Sequence, residues 1–591
     1  MRRNSTALVV GLLAVLPGTA FAQSSPLTPR GLQNEIALAE LYGYVRYFHP
    51  SDDAAHANWD GFVITCVQEV ESAKDAKELA EKLTVLFRGI APTVRVLPTG
   101  EPYRPPEDLR LTTDMVNPRI TFWRHVGVGT TSKMTIKYNP YHSERVQESA
   151  YAADRFKVPT PDLPWRADLR GGVTAWVPLA LYVDGQGTLP HAEGAALDSL
   201  TASQRVWSVT DRATRLADVI VAWAIFEHFY PYFDVFETDW PAVLPGALER
   251  AAEDQNETEF TETLRRLVAQ LRDGHGGVHT SASTTSLPLR WDWVEDHLVV
   301  TVVGESVQGR IVPGDAVIKI NGRAAAEMLA EKENLVSGAT LQWIRYRALQ
   351  ELARGQSGKT AELEVESFRE PRQTNKILLQ YEQSSPLEER RPAAIAEIEP
   401  GIFYIDIGRT SDYEFDSKLP LLEKAQGIIF DFRGYPSKLS PKFLTHLSDE
   451  NLNSAQWLIP VVLWPDRHDM QFQHGGEWHL QPSKPLLRAR KAFITDGRTI
   501  SYAESDMGIV EFYKLGTIVG APTAGTNGNV NSFTLPGGYT ITWTGMKVLK
   551  QNGSRHHGVG IIPKVAVSRT RAGIAAGRDE FLERAVEAVC Q

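Results

Sequence analysis

The sequence predicts a multidomain α/β protein in which helical and β-rich segments precede an α/β layer structure. Three observations carry that expectation. The chain has 591 residues, more than one core ordinarily holds. Two stretches, 31–92 and 204–271, place apolar residues at helical spacing. Beyond residue 398, short apolar runs at Ile402–Ile407, Gly427–Asp431, Ala492–Thr495 and Thr517–Gly520 alternate with helical stretches.

Residues 1–22 read as a secretory signal. Arg2 and Arg3 form its charged end, Ala7–Leu16 is too short an apolar run to span a bilayer, and Ala20-Phe21-Ala22 supplies small residues for cleavage. The expected product is exported, to the periplasm or cell envelope if bacterial, with no membrane span in the mature chain. A helical region, 23–92, comes next, rich in good helix formers from Ala73 to Leu86. Within a β-rich domain, 93–203, Val173, Ala175, Val177, Leu179, Leu181 and Val183 alternate as a half-buried strand does. Pro178 inside that run predicts an edge strand, because proline cannot donate to a ladder.

The second helical region, 204–285, echoes the first. Phe229-Tyr230-Pro231 precedes Trp240 as Phe48-His49-Pro50 precedes Trp59. That echo reads either as a duplicated module shaping a substrate entrance or as a coincidence of aromatic helix ends. A compact β-rich module spans 286–385, with a strand at His297–Val303, another at Ala316–Ile320 and a reversal at Asn321-Gly322. Residues 386–591 form the α/β part.

Composition removes several classes. With 42% hydrophobic and 23% charged residues the chain is of ordinary globular type. A formal charge of −10 argues against nucleic acid, which needs a basic footprint. Two cysteines, Cys66 and Cys590, make neither a disulfide framework nor a thiolate zinc site, though export would permit them to pair. Ala353–Thr360 fits the loose phosphate-loop pattern, but a helix precedes it and a strand follows, the reverse of what phosphate binding needs. Asp466, His468, Asp469, His474 and His479 lack a ligand spacing and read as solvated surface. No metal or other cofactor is expected.

The strongest chemical signal is Ile494–Glu504. A strand ends in a glycine-containing loop and Ser501 opens a helix, where backbone N–H groups are unpaired and the dipole is positive. The Tyr502 N–H is then placed to receive an oxyanion. A serine at that position also serves as a simple helix cap.

Leu271-Arg272-Asp273-Gly274-His275, the β-rich module, Gly427 to Pro436, Ser501-x-x-Glu504, Thr523-Ala524-Gly525 and Gly558 to Pro563 follow one another in an order that resembles the tail-specific, or C-terminal-processing, serine peptidases. Their tricorn-core and retinoid-binding-protein-like branch is the nearest in type. The resemblance runs from about Leu216 to the C-terminus. It implies a ClpP/crotonase-like core, a PDZ-like module at 286–385, a polypeptide substrate and Ser501 as nucleophile.

Many members place a lysine after the Thr-x-Gly turn, whereas this chain has Thr526, and Lys514 lies roughly 20 Å along the helix from Ser501. The tricorn-like branch uses the histidine matched here by His275, which the resemblance makes the general base. It also implies a second oxyanion N–H after Asp431, at Ser437, where Ser437-Lys438 replaces the usual glycine pair. Glu504 is expected to support the helix start. These departures leave a second reading, an inactive peptide- or ligand-binding protein on a peptidase scaffold.

Overall fold

The computed structural model describes residues 24–110, 117–130, 139–191, 207–280, 285–371, 373–383 and 387–590. The 1–22 signal lies outside them. Among the described residues no helix is long and apolar enough to cross a membrane.

The architecture is mixed α/β with several sheets. Its C-terminal part is built on a six-stranded sheet ordered Ile395–Glu399, Ile402–Asp406, Gly427–Asp431, Arg490–Thr495, Thr517–Gly520 and Val565–Ala566. All neighbours run parallel except the first pair. Parallel strands are covered on both faces, and their side chains sort accordingly. Ile428, Phe430, Phe493 and Ile518 meet one core with Phe415, Met507 and Val510 from the helices Asp412–Leu422 and Tyr502–Tyr513. Ile429, Ala492, Ile494 and Val519 meet another with Phe581, Ala585 and Val589 of Glu580–Cys590. This two-sided burial explains the uninterrupted apolar runs.

A second six-stranded sheet carries the 286–385 region, with Leu289–Val294 at one edge and Thr374–Gln380 at the other. Asn321 and Gly322 both take positive φ, 50° and 79°, as a tight hairpin reversal requires. Helix Leu341–Leu352 precedes and strand Thr360–Glu366 follows the phosphate-loop-like segment.

The helices Pro29–Phe48, Trp59–Val70, Ala76–Arg88, Arg212–Phe229, Leu244–Glu253 and Glu257–Ala269 share one core. Both echoed segments belong to it. Phe48 stacks on Phe229 at 6.1 Å, and Phe48, Tyr230 and Trp240 are buried, so these aromatic ends pack a core and shape no entrance.

Pro178 corrects the expected edge strand. It separates two strands, Val173–Val177 and Ala180–Val183, and the first is the central member of a three-stranded sheet. Strand Arg119–Val126 pairs with Ala180–Val183 and His142–Ser149, and also with Gln456–Val462. The 93–203 segment therefore shares a sheet with the C-terminal part. Cys66 is buried, Cys590 is exposed, and both are free thiols.

Where the two helical regions meet the sheet, three histidines are sealed inside. His49 bonds Thr93 Oγ1 at 2.8 Å, His125 donates to the Tyr47 carbonyl at 2.7 Å and His228 to the Pro465 carbonyl at 3.0 Å. Burial pushes His49 and His228 down to about 3 and His125 down to about 4. A folded pKa below the unfolded value favours the neutral ring, so this stability is present above pH ~6.5 and is lost as pH falls toward the folded pKa. Against His228→Asn, the wild-type advantage in unfolding free energy should therefore shrink by about 2 kcal/mol between pH 7.5 and 5. Urea titrations at both pH values check this; a constant difference would contradict it.

Candidate active site

The carboxyl ends of neighbouring parallel strands are where an open α/β sheet gathers ligands. Gly427–Asp431 and Arg490–Thr495 end there side by side, with Asp431 opposite Ile494. Ser501 follows the second strand at φ 60°, ψ −118°, a conformation that costs a non-glycine residue energy. Its side chain makes no capping hydrogen bond, so Ser501 is not the simple helix cap the sequence also allowed. Its N–H donates to the Thr526 carbonyl at 2.9 Å.

Thr526 joins this serine to a segment more than two hundred positions away. The Thr526 hydroxyl accepts the Gly274 N–H at 3.0 Å. A Cβ built on Gly274 would lie 2.7 Å from Thr526 Oγ1 and 3.1 Å from Ile500 Cδ1, so only glycine permits this approach. The residues flanking Ser501 and His275 are thus in contact. Thr526 fastens the histidine loop to the serine turn.

His275 is held by a chain of hydrogen bonds. Asp273, fully buried, accepts the His275 N–H at 3.0 Å, the Thr544 N–H at 2.6 Å and the Thr544 hydroxyl at 2.7 Å. His275 Nδ1 lies 2.9 Å from Thr544 Oγ1. Because the Thr544 proton is committed to the carboxylate, its oxygen accepts from Nδ1–H. That fixes the tautomer with the Nε2 lone pair free. Strand pairing makes the arrangement rigid: Gly277 lies opposite Thr542 in the Thr540–Thr544 strand, and Thr542 Oγ1 donates to the His275 carbonyl at 2.8 Å. Burial lowers the His275 pKa, opposed by the charges of Asp273 and Glu504.

Residues 466–567, which contain Ser501, match the sequence model of Peptidase family S41. That segment is similar to the serine peptidases of family S41. Among solved structures the chain is similar to mature CPAF, at 13% identity and a TM-score of 0.53, covering 64% of this chain and 97% of that one. It is also similar to the photosystem II D1 C-terminal processing protease, at 14% identity and a TM-score of 0.37, over 64% of this chain and 96% of that one. The tricorn protease follows at 14% identity and a TM-score of 0.34, over 64% of this chain and 36% of that one. No curated protein matches in sequence.

Glu504 is buried in the first turn of the Ser501 helix and accepts from Thr523 Oγ1, from the Gly525 N–H at 2.8 Å and from the Thr526 N–H at 2.9 Å. It binds the Thr523–Thr526 turn to the helix. His556 Nε2 lies 3.4 Å from Glu504 Oε2, the oxygen that accepts the Thr526 N–H. His557 stacks on Tyr232 at 3.8 Å and donates to the Arg272 carbonyl, and burial holds it down to about 4. Lys514 ends the same helix at the opposite pole, in the left-handed region.

Ser437 is exposed on the loop after Asp431, and Tyr435, two positions back, is half exposed and lines a cleft beside Ile500. Sequence reasoning missed Thr544. Thr544 carries no signal, being one threonine in a strand of alternating residues. Asp273 stood inside the Asp-Gly-His motif without a role of its own.

A cleft of about 950 Å³ lies between the edge strand Leu289–Val294, the helix Leu341–Leu352 and the Asp496–Arg498 turn. An adjoining cleft of about 400 Å³ reaches Tyr435 and Ile500, and the two share Arg290, Tyr346, Glu389 and Arg498. Glu389, held well below the usual carboxylate range against its own burial by the guanidinium groups of Arg498 and Arg569, ties the two clefts together. Among the described residues no group of three or more His, Cys, Asp or Glu is placed to hold a metal ion. His468, His474 and His479 bond Asp466, Glu477 and Asn453 respectively, each on the surface.

Proposed function

We propose that the protein hydrolyses peptide bonds through an acyl-enzyme on Ser501, with His275 as general base. The observation that carries this is Thr526, which bonds the Ser501 turn with its carbonyl and the His275 loop with its hydroxyl. Ser501 Oγ attacks the substrate carbonyl while its proton passes to His275 Nε2. The imidazolium formed is steadied through Nδ1 by Thr544 and Asp273, and gives the proton to the leaving amine. Water then repeats the sequence on the ester. Thr544 and Asp273 touch no substrate and act as positioning residues.

The same proposal takes 286–385 as a PDZ-like module and 386–591 as a ClpP/crotonase-like core. The edge strand Leu289–Val294 beside the helix Leu341–Leu352 offers a polypeptide C-terminus a place to add as a strand. The adjoining cleft extends from there to Ile500, the residue before Ser501. Export rests on the 1–22 segment alone.

The test is cleavage of casein and of C-terminally tailed peptides by the chain from Gln23 onward, beside Ser501→Ala. Cleavage by the wild type that falls at least 10³-fold in the variant is expected. Equal cleavage by both would overturn the assignment.

A further inference from the structure

Five arginines line the larger cleft: Arg290, Arg345, Arg354, Arg498 and Arg569. Four of them are neutralised by the protein itself. Arg345 pairs with Glu333, Arg354 with Glu351, Arg498 with Asp496 and Glu389, and Arg569 with Asp292 and Glu389. Among the described residues, Arg290 alone of the five has no ion-pair partner. Its Nη1 donates to the Leu387 carbonyl at 3.1 Å, and its other two guanidinium nitrogens make no hydrogen bond.

The place of Arg290 follows from strand geometry. Side chains alternate across the edge strand Leu289–Val294, so Leu289 and Trp291 enter the core of the 286–385 region while Arg290 and Asp292 take the other face. On that face Asp292 meets Arg569, just beyond the strand Val565–Ala566 of the C-terminal sheet, at 3.5 Å. Arg290 is half-buried and lines both clefts, with Tyr346 beside it in each. The smaller cleft continues to Ile500. Its inner carboxylates are engaged, Glu389 as above and Asp406 by Arg391 and Arg409, while Glu388 is exposed. The uncommitted charge at the junction of the clefts is therefore a cation.

A half-buried guanidinium with two unbonded nitrogens holds an incoming carboxylate through charge-assisted hydrogen bonds, which strengthen where the cleft walls exclude water. Substrate is what brings that carboxylate. In the strand-addition mode above, the polypeptide terminus lies in the larger cleft. The stretch that runs on toward Ser501 passes Arg290 as internal chain, where only an aspartate or glutamate side chain presents a carboxylate.

We propose that Arg290 is a specificity-determining residue, selecting polypeptides with an aspartate or glutamate in the stretch between the larger cleft and Ser501. The inference rests on the serine peptidase reading above. A group that binds a remote part of the substrate equally in ground and transition states changes KM and leaves kcat.

The experiment uses the chain from Gln23 onward and a quenched fluorescent peptide built on a mapped casein cleavage site. Glutamate, glutamine or lysine occupies each position in turn, with the C-terminus free or amidated. In the wild type, glutamate at one position should raise kcat/KM about 10-fold over glutamine, through KM, with either C-terminus. Arg290→Gln should erase that difference while cleaving the glutamine peptide at the wild-type rate and keeping the thermal midpoint. Arg290→Glu should move the preference to lysine at the same position. A glutamate preference that survives in Arg290→Gln would overturn the proposal, as would its absence from a wild type that cleaves the series. A preference for the free over the amidated terminus that Arg290→Gln erases would also overturn it, because Arg290 would then read the terminal carboxylate. A wild type that cleaves no peptide of the series removes the peptidase reading and this inference together.

Discussion

His275→Ala should lower kcat/KM for peptide cleavage by about 10⁴-fold while leaving the thermal midpoint within a few degrees of wild type. The Thr544 hydroxyl is spent on Asp273, so His275 must donate from Nδ1 and present a basic Nε2. Removing the ring takes away the only imidazole on the loop that Thr526 fastens to the Ser501 turn. The pH profile gives an independent check. Because burial lowers the His275 pKa, the acid limb of kcat/KM should have its midpoint below the ordinary imidazole value of ~6.5. Activity rises with pH through that midpoint as the ring loses its proton. A variant with wild-type activity would remove His275 from the mechanism.

Thr544→Val should lower kcat by about 10²-fold, and Thr544→Ser should restore most of it. Valine keeps the shape and the Thr544 N–H bond to Asp273, but removes the oxygen that accepts the Nδ1 proton. Asp273→Asn acts on the same chain and adds a sign. The Asp273 charge raises the His275 pKa, so its loss should move the acid limb further down while the plateau falls. A residue that merely held the loop in place would lower the plateau without moving the limb. Kinetics across pH 4–8 on the three variants separates the two cases. An unshifted limb in Asp273→Asn, or full activity in Thr544→Val, would contradict the positioning role.

The layered core was legible because its strands are buried on both faces and leave continuous apolar runs at Gly427–Asp431 and Ala492–Thr495. Ser501 was legible from the strand–loop–helix order. His275 was not derivable from local pattern, and only its place in an ordered set of motifs pointed to it. Whether the two meet depends on a Gly274–Thr526 hydrogen bond between residues far apart in sequence. Thr544 was silent for the same reason: its partners, Asp273 and His275, reach it through tertiary pairing of Gly277–His279 with Thr540–Thr544. Pro178 was misread because a proline that ends one strand and precedes the next leaves the same alternation as one within a strand. The sharing of a sheet between Arg119–Val126 and Gln456–Val462 likewise follows from long-range pairing that no periodicity announces.

The central claim is that Ser501 is a nucleophile made reactive by His275. Its most direct test is the rate and site of fluorophosphonate modification, read by peptide mass in wild type, Ser501→Ala and His275→Ala. Modification is expected on Ser501 in the wild type, none in Ser501→Ala, and a rate at least 10³-fold lower in His275→Ala. Modification at wild-type rate in His275→Ala, or on another residue in all three chains, would contradict it.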